Sequence, residues 1–205
     1  DEIPAIIKAF RKGAENAMAA GFDGVEIHGA NGYLLDQFLQ DSTNQRDDVY
    51  GGTIENRARL MLEVVDAAVS VWGADRVGLH IAPDCDAHDM GDSDPEATFG
   101  YVAHAMRERG IAFLFARAAQ TDAKMGAKLK AIFKGPFIAN QQLSKESAES
   151  IIANGEADAC AWGQQFIANP DLVRRLKDDL ELNEVDSDSF YGGDTKGYTD
   201  YPFVD

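Results

Sequence analysis

Residues Val25–Leu39 read VEIHGANGYLLDQFL, and this stretch decides how the rest of the chain is read. A short apolar run, predicted as a strand over Gly24 to Ile27, breaks at its carboxyl end into His28, Asn31 and Tyr33, with turns expected through Gly29 and Gly32. An amphipathic segment follows. Strand, glycine turn and helix make one βα unit, and the polar residues fall where the strand ends. Three such side chains can converge on one small group of polar atoms, with His28 and Asn31 polarising a carbonyl or nitro oxygen while Tyr33 delivers a proton. Each residue also has an ordinary reading taken alone. His28 can be a satisfied core or surface histidine, Asn31 the first half of an Asn-Gly turn, and Tyr33 a core aromatic.

Outward from this unit the same rhythm recurs, short apolar runs alternating with longer amphipathic segments, as in a parallel sheet built from βα units. The predicted strands are Gly24 to Ile27, Arg76 to Ile81, Ala112 to Ala116, Phe137 to Ala139 and Ala157 to Trp162. Between them apolar residues repeat at helical spacing, as in Ile3, Ile6, Ile7, Phe10 and Ala14, or in Leu60, Leu62, Val65, Ala68, Val69 and Trp72. Gly21 closes the first helix, Asp94-Pro95 and Ser144 open two later ones, and Asn169-Pro170-Asp171 opens the last.

The chain has 205 residues, 45% of them hydrophobic, enough for one domain with a substantial core. A formal net charge of -16 argues against nucleic-acid or anionic-membrane partners. Cys85 and Cys160 lie far apart with no CxxC pair, so neither a disulfide framework nor a zinc ribbon is indicated, and a reducing cytoplasm fits. No apolar run is long enough to span a bilayer, and with Asp1-Glu2 at the start no targeting signal is expected. The acidic loop Asp84 to Glu96 fails the calcium-loop pattern, because His88 and Asp89 stand where an oxygen ligand and a glycine are needed. It is expected to be a solvated loop without a metal.

The His-x-x-Asn-x-Tyr order of His28, Asn31 and Tyr33, and the continuation DSTNQRDDVYGGTIENRARL from Asp41 to Leu60, resemble the Old Yellow Enzyme family, the FMN-dependent ene reductases. The resemblance implies a TIM-type (β/α)8 barrel. Such a barrel takes about 250 residues, so residues 1–205, a single domain, are expected to supply its strands four to eight, ending in the family-like tail FYGGDTKGYTDYP from Phe190 to Pro202. It also implies catalysis by Tyr33, His28 and Asn31, with His28, Asn31 and Tyr191 binding substrate. Reduced FMN would transfer hydride to an activated alkene, NAD(P)H having reduced the flavin beforehand, and the protein would supply orientation and electrostatics.

The expected FMN-binding positions are His80, Ala139, Asn140, Gly163, Gln164 and Phe190, and several depart from the family. His80, in VGLHIAP, stands where an arginine is directed at the flavin ring. The turn after the seventh strand reads Ala139-Asn140-Gln141-Gln142, and Gln164 replaces the arginine of a Gly-Arg pair. A neutral histidine and a glutamine in place of two guanidiniums predict a weakened hold on FMN. Sequence therefore points to a flavin oxidoreductase acting on an α,β-unsaturated carbonyl or nitro compound, completed by an amino-terminal half or by homo-oligomerisation. Two alternatives stand beside it: a non-catalytic or flavin-free half-barrel, and a barrel isomerase using His28 and Tyr33 without flavin.

Overall fold

A computed structural model describes residues 2–85, 87–119, 124–190 and 193–204. Five parallel strands form one sheet in chain order: β1 (Val25–Gly29), β2 (Val77–Ile81), β3 (Phe113–Arg117), β4 (Phe137–Asn140) and β5 (Ala159–Cys160). Each is joined to the next through helix, as parallel neighbours require. The helices are α1 (Ile3–Ala19), α2 (Leu34–Leu39), α3 (Ile54–Trp72), α4 (Pro95–Arg109), α5 (Met125–Phe133), α6 (Lys145–Ala153), α7 (Gln164–Ala168) and α8 (Leu172–Asp178). The predicted strands all exist. The last is shorter than expected, two residues rather than six, because as an edge strand it pairs only through Ile138–Ala159 and Ala139–Cys160.

Strand residues alternate between two faces. Ile27, Leu79, Leu114 and Ala116, with Phe137 and Ala139, bury their side chains on one face. This side carries the core, packed by α3 and the faces of α1, α4 and α5, and Trp72 of α3 donates its indole N–H to the Ala14 carbonyl of α1 at 3.0 Å. The opposite face presents Glu26 and His28 of β1, Gly78 and His80 of β2, Phe113, Phe115 and Arg117 of β3, and Ile138 and Asn140 of β4, in register across the sheet. Most of these are half-buried or exposed, so this second face is open. Gly78 is required there, since a Cβ would lie 2.2 Å from the Phe113 ring.

Several helix ends follow the capping rules. The Asp94 side chain accepts from Ala97 N–H at 3.0 Å to start α4, and Ser144 forms a reciprocal box with Ser147 to start α6. Left-handed Gly110 closes α4. The acidic loop is tied down rather than merely solvated. Asp84 accepts from Ala119 N–H at 2.8 Å, and the Asp92 side chain is fully buried against Arg57 at 3.1 Å. No helix among the described residues is long and apolar enough to cross a membrane.

Candidate active site

The carboxyl ends of the strands gather the polar residues. Strand β1 runs through Gly29, so His28 lies on the strand and Gly29 is a strand residue, not a turn residue. The turn is made instead by Asn31 at φ 59° and Gly32 at φ 75°. Buried Asp36 of α2 holds it, accepting from Gly32 N–H at 2.9 Å and from Gln40 Nε2 at 2.8 Å. Gly32 meets two demands, a positive φ and a close approach, since a Cβ would come within 2.9 Å of the His88 side chain.

A row of rings runs along this end of the open face. Phe115 stacks on His80 at 4.1 Å between centroids, His80 meets His28 edge-on at 5.1 Å, His28 lies 5.4 Å from Tyr33, and Tyr33 lies 6.0 Å from His88. Tyr33 is 58% exposed. Burial lowers the pKa of His28. Burial also pulls His80 down to about 4, with the positive charge of Arg117, and of His28 once protonated, acting the same way, so both imidazoles are neutral at neutral pH. His80 Nδ1 lies 3.8 Å from Glu26, too far for a hydrogen bond, and its buried Nε2 has no partner among the described residues.

Asn31 is a turn residue whose side chain also reaches across to Arg117 in the candidate site. Its Oδ1 accepts from Arg117 Nη1 at 2.8 Å, while Nδ2, the donor a substrate oxygen would need, has no hydrogen bond among the described residues. Arg117 Nε donates to Gln141 Oε1 at 2.7 Å, so the guanidinium links the turn after β1 to the turn after β4. Arg117, Glu26, Asp36 and His88 all escaped the sequence reading of the site. The period-two alternation that places His28 on this face, continued one residue past Ala116, would have found Arg117.

The expected phosphate side is arranged differently from its sequence reading. Ala139 and Asn140 belong to β4 rather than to a turn. Ala139 buries its methyl in the core, and Asn140 Nδ2 donates to the Ala161 carbonyl at 2.7 Å. The turn proper is Gln141 at φ 97° and Gln142 at φ 53°, a left-handed backbone kept without glycine. Gly163 sits at the N-cap of the short helix α7 and Gln164 is its exposed first residue. Phe190 is buried after the 3-10 turn Ser187–Ser189. Tyr191 lies outside the described residues.

A five-stranded parallel sheet with a row of imidazole, phenol and amide groups at its carboxyl end is the layout of an α/β-barrel enzyme site, seen here in part. The chain belongs to the NADH:flavin oxidoreductase / NADH oxidase family, whose model matches residues 1–183. It is 44% identical over 216 residues to 12-oxophytodienoate reductase 1 of Oryza sativa subsp. japonica, covering 100% of this chain and 57% of the relative. It is 42% identical over 214 residues to 12-oxophytodienoate reductase 2 of Arabidopsis thaliana, again covering 100% of this chain and 57% of the relative. Among solved structures, morphinone reductase in complex with tetrahydroNAD superposes with a TM-score of 0.95 at 44% identity, covering 100% of this chain and 57% of that one. The old yellow enzyme homologue from Zymomonas mobilis gives 0.95 at 39% identity, covering 100% and 60%. The chain thus spans less than two thirds of the length of these relatives, and its sheet matches part of their barrel structures.

Proposed function

We propose that this chain forms about strands four to eight of an FMN-dependent oxidoreductase that reduces the C=C bond of α,β-unsaturated carbonyl or nitro compounds, with NAD(P)H as reductant. The observation that carries this reading is the contact of neutral His28 with Tyr33, beside an Asn31 amide whose donor is unpartnered among the described residues. The residues present fit a flavin. The open face offers an imidazole nitrogen at His80, unpartnered among the described residues, and a guanidinium at Arg117, and the Gln141–Gln142 turn and the Gly163–Gln164 helix start provide backbone donors near β4 and β5. FMN, when bound, supplies the hydride. His28 and Asn31 hold the activating oxygen and stabilise the negative charge that develops on it, while Tyr33 Oη gives up the proton. Arg117 fixes the Asn31 side chain with its donor free.

In the flavin-loaded protein, Tyr33→Phe is expected to slow alkene reduction about a hundredfold or more, the scale of a lost general acid. Flavin reduction by the nicotinamide needs no phenol proton and should hold its rate. Stopped-flow measurement of the two half-reactions checks this, and equal losses in both would defeat the assignment. The flavin-free reading draws on the neutrality of His80 and the uncharged, exposed Gln164. The yellow absorbance of bound oxidised flavin separates it from the enzyme reading.

A further inference from the structure

We propose that Arg117 is the anchoring point for an anionic oxygen group of the ligand that occupies the open face. Arg117 is the last residue of β3, on the same face as His80 and Phe115, and its side chain is half-buried. Its fork is held on two sides, by Asn31 Oδ1 at 2.8 Å and Gln141 Oε1 at 2.7 Å, and both acceptors are neutral amides. Both also stand in left-handed backbone, at φ 59° and 97°, so two strained turns are aimed at one guanidinium. Among the described residues no carboxylate lies within ion-pairing distance of Arg117, and Nη2 donates to nothing, although the chain carries 35 acidic residues against 19 basic ones. A half-buried charge left without a counter-charge is costly unless something else neutralises it.

A second observation points to the same place. His80, on the neighbouring strand and 8% exposed, keeps Nε2 buried without a partner among the described residues, and it feels the charge of Arg117. A guanidinium fork and an imidazole nitrogen side by side suit an oxyanion, which Arg recognises through paired N–H donors. Resting on the flavin reading above, two sources supply that chemistry: the phosphate of FMN, or the ring oxygen of the reduced, anionic flavin. Sequence departures had removed cations at His80 and Gln164, and Arg117 restores one on the adjacent strand.

The test compares the unmodified protein with Arg117→Gln and Arg117→Lys in titrations with FMN, riboflavin and inorganic phosphate, followed by flavin fluorescence and by the arginine Nε resonances. Arg117→Gln is expected to weaken FMN binding roughly tenfold to a hundredfold, the scale of a lost charge-assisted contact. Arg117→Lys should recover part of it, because a point charge remains without the fork, and it carries the test should the glutamine variant fail to fold. Loss for FMN alone, with phosphate displacing FMN, identifies the phosphate as the source. A flavin midpoint potential that moves negative in Arg117→Gln, with riboflavin and FMN losing alike, identifies the ring. If the unmodified protein binds no flavin yet phosphate shifts the Arg117 resonance, the anion site stands and the flavin reading falls. Unchanged FMN affinity and potential in the variants, or no response to either flavin or phosphate, overturns the proposal.

Discussion

His80 shows how one side chain on the open face sets a property of the folded chain. Burial holds the imidazole neutral down to about pH 4, whereas the free side chain takes its proton near 6.5. Between those values the unfolded chain binds a proton that the folded chain refuses, so stability falls as the pH drops from about 6.5 towards 4 and is unaffected by this group above that window. The whole effect is at most roughly 3 kcal/mol. His80→Phe, which keeps the ring against Phe115, is therefore expected to flatten this part of the acid loss. Urea unfolding midpoints of the two proteins at pH 7 and pH 4.5 check it, and parallel curves would refute it. At this scale the sequence was informative where chemistry sits in one short motif. His28, Asn31 and Tyr33 follow each other within six residues, and the left-handed Asn31 was legible from the Asn-Gly pair. Arg117 was not, because it meets Asn31 only across the sheet, 86 positions away.

Between elements, Arg57 of α3 fastens the polypeptide on both sides of it. Its guanidinium donates to the Leu39 carbonyl at 2.8 Å, the Gly52 carbonyl at 2.8 Å, Asp92 at 3.1 Å and Thr98 at 3.1 Å. These bonds fix the end of α2, the approach to α3 and the loop before α4, which together flank the Asn31–Gly32 turn. Both charges of the Arg57–Asp92 pair are buried, so Arg57→Ala leaves Asp92 uncompensated and should cost about 3 to 5 kcal/mol. Adding Asp92→Ala is expected to recover part of that loss. Thermal unfolding of the two single variants and the double variant measures the coupling. Element boundaries set by local chemistry were legible in advance, as at Gly21, Asp94 and Ser144. The partner of Asp92 was not, since a run of acidic residues looks the same whether water or a buried arginine receives it. Helix α5 carried little signal either, with left-handed lysines at both ends, Lys124 and Lys134, where glycine or a capping side chain is the usual mark.

At the scale of the whole chain, the strands among the described residues form a sheet with two edges and one open face. Parallel sheets are ordinarily covered on both sides, and β1 presents an unpaired edge beside the apolar flank of Phe10, Ala14 and Val25. The chain alone is expected to associate, and to do so more as salt screens its net charge of -16. Sedimentation velocity at low and high ionic strength checks this, and a cooperative monomer under both conditions would count against it. Strand order has a further consequence, one of timing. Among the described residues each strand pairs only with its neighbours along the chain, so none of these pairings waits for a distant segment to be made. During synthesis, a ribosome that has released the polypeptide as far as Arg117 has already delivered every sheet partner that β1 and β2 have here, and the rest can be laid on one βα unit at a time.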